Sequence, residues 1–137
     1  MSYKRGGVGS GRFEGRVKVA RGDFSGEAPE GTTELDGDTV PAGAIVLNSV
    51  LVVREALAAD ADGEDPVTVS VGVESTDDIQ TARQADANTY QVGCRPGSAT
   101  GSNCPMTTEP RKLSLTVANG SLTGGDVSVV VSYIELV

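Results

Sequence analysis

Three groups of residues have the types and spacing to do chemistry, and each has a narrow repertoire. The run "DADGED", Asp60 to Asp65, sets hard oxygen ligands at alternate positions, as Ca²⁺ prefers. Gly63 is fourth in that run rather than sixth and no glutamate stands twelfth, so the run departs from a calcium-binding loop and also reads as a solvated acidic hairpin turn. Cys94 and Cys104 have nine residues between them. They could close a disulfide loop worth about 2 to 3 kcal/mol through lost unfolded-state entropy, or stay free thiols as a reducing cytosol keeps them. A structural zinc site wants four Cys or His ligands, and two Cys without any His do not supply them. The third group, Asp77 and Asp78 behind Ser75, has the composition of a capped helix N-terminus. General acid–base chemistry at neutral pH most often uses His, and this chain has none; it also lacks a Cys/His or Ser/His pair and a phosphate-cradling Gly motif with a following Lys. These residues point away from an enzyme, and no cofactor and no catalytic residue is expected.

The elements that would carry these residues read as strands. In "PVTVSVGVES", Val67, Val69, Val71 and Val73 share one face and Thr68, Ser70 and Gly72 the other. The same period of two returns with Leu113, Leu115 and Val117 inward, and in "DVSVVVSYIELV" with Val127, Val129, Val131 and Tyr133 on one face. "FEGRVKVA" places Phe13, Val17 and Val19 together, and "TTEL" predicts a short edge strand. The most apolar stretch, Val40 to Leu57, is broken by Asn48 and Ser49 and closed by Arg54 and Glu55, short of the ~18 apolar residues of a spanning helix. Its Val and Ile content predicts a buried strand, and no membrane partner. "ELDGD", "ADADGEDP" and "ANGSLTGGD" are turns between strands. "STDDIQTARQADA" predicts one short surface helix, and Gly93 to Pro110 a long loop. The expected fold class is all-β: an antiparallel, jelly-roll-like β-sandwich with one short surface helix. Residues 13 to 137 would form this single domain, with a Cys-bracketed loop at 94 to 104, behind a flexible basic Gly-rich arm at 1 to 12.

Charge divides the chain. Residues 1 to 21 hold Lys4, Arg5, Arg12, Arg16, Lys18 and Arg21 against Glu14, a net +5, while the remainder carries −13. A body this acidic repels phosphate, so no direct nucleic-acid partner is expected, and the basic residues are candidates for contact with an acidic protein surface. Aromatic residues are 4% and Trp is absent, so the core must be built from Val, Leu, Ile and Ala. Such a thin core predicts that association with further copies adds stability. The first residues show no apolar stretch of a secretory signal, and synthesis in the cytoplasm is expected.

The stretches "VPAGAIVLNSVLVV", "VTVSVGVESTDDI" and "LTVANGSLTGGDVSVVVSYIEL" together resemble small head proteins of tailed bacteriophages, in particular capsid decoration, or cement, proteins. The resemblance covers Val40 to Leu136, apart from the Cys loop. It implies a virion structural protein, often a homotrimer, that binds the major capsid protein on the outer shell between capsomers and stabilises the head, with Val40 to Leu57 as a central strand covered on one face by the sandwich core and partly on the other by a neighbouring subunit. The alternatives are a head-completion or tail-associated structural protein, and a carbohydrate-binding module. The last would use exposed aromatic platforms that a chain with no Trp and three Tyr is poorly equipped to provide.

Overall fold

The structure is a computed structural model, and it describes residues 16–99 and 104–135. Eight strands run in chain order: β1 (Lys18–Ser25), β2 (Gly31–Val40), β3 (Ala44–Ala61), β4 (Thr68–Gly72), β5 (Gln80–Gln84), β6 (Gly93–Pro96), β7 (Arg111–Ala118) and β8 (Gly120–Glu135). They form one antiparallel sheet in the order β5-β4-β7-β2-β1-β8-β3-β6, curled into a half-barrel. The all-β, antiparallel expectation holds, but as a single continuous curled sheet in place of two stacked ones.

The curl has local causes. β3 and β8, the two longest strands, pair from Ala44↔Glu135 to Ala61↔Gly120, and the register slips at four points, between Val46 and Asn48 and three times from Val53 to Ala59. Each slip adds twist and bends the strand. Between β1 and β2 only Gly22↔Gly37 and Asp23↔Asp36 pair, and this narrow join is where the sheet turns. Gly37 has φ +147°, and a Cβ there would stand 2.2 Å from the Arg21 carbonyl oxygen, so this close crossing needs a residue without a side chain.

The inner face is the core, and the alternation read from sequence locates much of it. Val69, Val71, Leu113, Leu115, Val117, Val127, Val129 and Val131 are buried, and Tyr133 nearly so. Tyr90, from a 3₁₀ turn at Asn88–Tyr90, is wholly buried and its hydroxyl donates to the Val69 carbonyl at 2.7 Å. It adds aromatic bulk, with Phe24 and Tyr133, to a core otherwise made mostly of Val and Leu.

Six expectations change. Two stretches expected as turns are strand, since "ELDGD" lies inside β2 and Gly120 to Asp126 of "ANGSLTGGD" inside β8. The surface helix at 75 to 87 is not formed. Asp78 instead accepts the backbone N–H groups of Val73, Glu74 and Ser75 at 2.8 to 3.1 Å, which fixes a tight turn, and Gln80–Gln84 then pairs as β5. A carboxylate this close satisfies the same donors a helix start would offer, but in a returning chain. "TTEL" belongs to β2, which lies inside the sheet between β7 and β1 and is not an edge. Val17 and Val19 point outward, 60% and 61% exposed, because β1 pairs with β8 in the register that turns Ala20 and Phe24 inward. β3 is next to the edge strand β6 and not central. The segment from Gly93 to Pro110 is not all loop: it contains β6, and its return strand bonds β3, with Val46 N–H donating to the Pro105 carbonyl and Thr107 N–H to that of Ala44.

Candidate interaction surface

The outer face of β1, β8 and β3 carries a polar cluster built by register. Asp23 and Val52 both stand opposite Ser128 of β8, one on each side, so the Ser128 side chain emerges between the two neighbouring strands. Its hydroxyl donates to the Asp23 carboxylate, and Arg54 donates to Ser128 at 2.7 Å and to Asp126 at 2.8 Å. Arg21 reaches Asp23 at 2.9 Å through Nε, and its backbone N–H donates to Asp38 at 2.9 Å. The Ser128 hydrogen bond, aided by Arg21 and Arg54 and opposed by some burial, holds the Asp23 carboxyl below its ordinary value. The cluster ties three strands together, with Asp23 on β1, Asp126 and Ser128 on β8 and Arg54 on β3.

Several sequence candidates are accounted for by such internal pairs. Lys18 bonds Glu135 at 2.7 Å, and Arg21 is engaged as described. Arg16 is exposed at the start of the described chain, while Lys4, Arg5 and Arg12 lie outside the described residues. Cys94 and Cys104 are free thiols, both exposed. Cys94 faces Val52 across the β3 ladder, whereas Pro105, next to Cys104, bonds Val46. Asp60 to Asp65 covers the end of β3 and the turn after it, and among the described residues no three Asp, Glu, Cys or His side chains gather as a metal-holding group. No described helix is long and apolar enough to cross a membrane.

Two features went unnoticed in the sequence. One is an apolar patch on the outer face: Val17 and Val19, then Ile134 opposite Ile45, which is bridged in turn to the half-exposed Met106. Val17 and Val19 were legible as apolar, but their orientation was not. The other is a clamp on the return strand. Glu74 accepts from Arg111 at 3.1 and 3.3 Å and from the Thr108 N–H and hydroxyl at 3.1 and 2.7 Å. Arg111 first and Thr108 second hold the Glu74 carboxyl at about 2. Elsewhere the surface is acidic, with a hollow of about 280 Å³ between β1 and β2 lined by Asp23, Glu27, Glu34 and Asp36.

No family model matches the chain, and neither does any curated protein. Solved structures do. The chain is similar to one in the cyanophage Pam1 capsid asymmetric unit, with 22% identity, TM-score 0.61, and coverage of 97% of this chain and 94% of that one. It is similar to a chain in the capsid of Ralstonia phage GP4, at 20% identity, TM-score 0.64 and coverage of 90% and 86%. A third, in the acidic stable capsid structure of Helicobacter pylori bacteriophage KHP30, has 17% identity, TM-score 0.54 and coverage of 86% of each chain. The chain therefore has the fold of a component found in the capsid structures of three different phages.

Proposed function

We propose that this chain is a virion structural protein that decorates the outside of a phage head, binding the capsid shell between capsomers and cementing it. The observation that carries the reading is the shared fold: nearly the whole chain, 86% to 97% of it, superposes on chains from three phage capsids. An outer face braced by ion pairs and bearing an apolar patch suits that task, which needs several modest contacts and no bond-making. On this reading the protein is not an enzyme, its partners are the major capsid protein and further copies of itself in a trimer, and the patch around Val17, Val19, Ile134 and Met106 is covered on assembly. Three linked copies raise the effective concentration for the second and third contacts, so individually weak contacts sum to durable attachment.

The test is to add the purified chain to shells made from the genome that encodes it but lacking this chain. Saturable binding at a fixed, high copy number per shell, with a raised temperature of shell rupture, is the expected result. A chain absent from purified particles and indifferent to shells overturns the proposal. Recovery of only a few copies per particle, confined to one vertex or the tail, selects the head-completion or tail-associated alternative.

A further inference from the structure

One end of the half-barrel is left open in a way that fits a particular segment of the chain. From Glu55 to Ala61, β3 bonds β8 along one edge, and among the described residues no backbone group pairs with the other edge. An unpaired edge of this kind accepts an added extended strand, whose backbone satisfies the free N–H and C=O groups. Beside it runs a groove of about 190 Å³, with Leu57, Ala59 and Ala61 on one wall and Pro66, Val67 and Ala85 on the other. Asp86 lines it as well, and the chain between the lining residues Ala59 and Pro66 carries Asp60, Asp62, Glu64 and Asp65, all exposed, with no Lys or Arg from residue 55 to 67, so the carboxylates beside the groove are negative and unopposed along that stretch.

We propose that residues 1 to 15 of a neighbouring copy fill this groove as an added strand along β3. Charge is the first argument, since those residues hold Lys4, Arg5 and Arg12 against Glu14 alone. Length is the second. Arg5 and Arg12 are seven steps apart, about 23 Å when extended, which is close to the ~20 Å covered by the six steps of the open edge from Glu55 to Ala61. Val8 lies between the two basic positions, flanked by Gly6, Gly7, Gly9 and Gly11, so an extended segment carries one apolar side chain into the groove with little bulk around it. The position of Arg16 assigns the donor. It adjoins Lys18, opposite Tyr133, at the Ala44–Glu135 end of the β3–β8 pair, whereas the groove is at the Ala61–Gly120 end. A chain filling its own groove would have to run the length of the molecule first. The contact links copies to one another and stands whether or not they sit on a shell.

Zero-length carbodiimide coupling of amines to carboxylates, on a mixture of normal and heavy-nitrogen full-length chains, tests it. The expected product joins the Lys4 amine to one of the carboxylates beside the groove, Asp60, Asp62, Glu64, Asp65 or Asp86, in peptides of mixed isotope. Coupling only within single-isotope peptides, or only to acids elsewhere such as Asp36 and Asp38, overturns the proposal. A charge exchange gives a second readout. Asp62→Lys with Asp86→Lys should weaken association between full-length chains about tenfold at low salt, and adding Lys4→Glu, Arg5→Glu and Arg12→Glu to the same chain should restore it. Failure of the restoration, with both chains folded by circular dichroism, overturns the pairing.

Discussion

The two halves of β3 differ in apolar content, with seven Val, Ile or Leu residues from Ala44 to Val53 and only Leu57 from Glu55 to Ala61, and they are also held in different ways. Ala44 to Val53 is bonded on both edges, to β8 on one side and on the other to the return segment at Pro105–Thr107, to Gly97 and to β6. From Glu55 to Ala61, among the described residues, only β8 remains. The first half is sealed by chain that comes back from Gly93 to Pro110, and that return is itself fastened: the Thr107 hydroxyl donates to the Pro41 carbonyl at 2.6 Å and accepts the Ala44 N–H at 3.0 Å, while Glu74 grips Thr108 and Arg111. The edge β5 is drawn into the same seam, since Thr81 N–H donates to the Ser98 carbonyl at 2.9 Å. The contrast teaches that closure here comes from loops acting as strands, and that where no loop returns the barrel keeps an accessible edge.

Truncating a leucine in each half should separate them most clearly. Leu51 is fully buried beneath a closed roof, so Leu51→Ala leaves a cavity and should cost about 3 to 5 kcal/mol in denaturant titration. Leu57 lines the open groove, where the neighbouring space already reaches solvent, and Leu57→Ala should cost only about 2 kcal/mol. Equal losses would mean the second half is as enclosed as the first.

Thr107→Val tests the seal directly. The substitution keeps the shape but orphans the Pro41 carbonyl and the Ala44 N–H in a buried site, a loss of about 1 to 3 kcal/mol. Amide exchange should quicken at Ala44 and Val46 while the Asp62 N–H, bonded to Asn119 at the other end, is unchanged.

The clamp makes the sealed half sensitive to acid. Glu74 titrates at about 2 in the folded chain against an ordinary 4.5, because the hydrogen bonds from Arg111 and Thr108 favour the carboxylate. Its stabilisation is therefore complete above the ordinary value and is lost as pH falls from about 4.5 towards 2. Glu74→Gln should lower Tm at neutral pH and flatten the fall in Tm across that acid window. An unchanged acid limb would show that the clamp is not what holds the return strand.

Thiol counting gives the smallest effect on stability and bears on the same return strand. The isolated chain should present two alkylatable cysteines, as the free and exposed Cys94 and Cys104 require. A mass two hydrogens lighter in particles kept without reductant would establish the disulfide that their spacing suggests, and would require the excursion between them to close up against β6.

What the sequence by itself determined was the local alternation of strands and the kinds of residue available for a core. Val67 to Val73, Leu113 to Val117 and Val127 to Tyr133 bury the faces that their period predicts, because a strand with one apolar side has one stable orientation. One turn was legible for a similar reason: at Asn119–Gly120, Asn119 has φ 69° and Gly120 φ 152°, conformations that few other residues accept cheaply, whereas "ELDGD" and Gly120 to Asp126 have turn composition and yet run inside β2 and β8, where pairing with neighbouring strands overrides local preference. The absence of His and the separation of charge were also visible, and with them the direction of the functional reading. Only the tertiary structure decided the rest. Val17 and Val19 alternate as an inward face would, yet pairing with β8 turns them outward. Asp78 could have opened a helix, and the return of β5 onto β4 made it the anchor of a turn. The candidate surface depends on the same long-range choices: the Ser128 cluster, the Glu74 clamp and the open edge of β3 each join residues far apart in the chain. Sequence period records which residues resist water, whereas which strand lies beside which is settled by hydrogen-bond pairing across the whole sheet, and that information is not local.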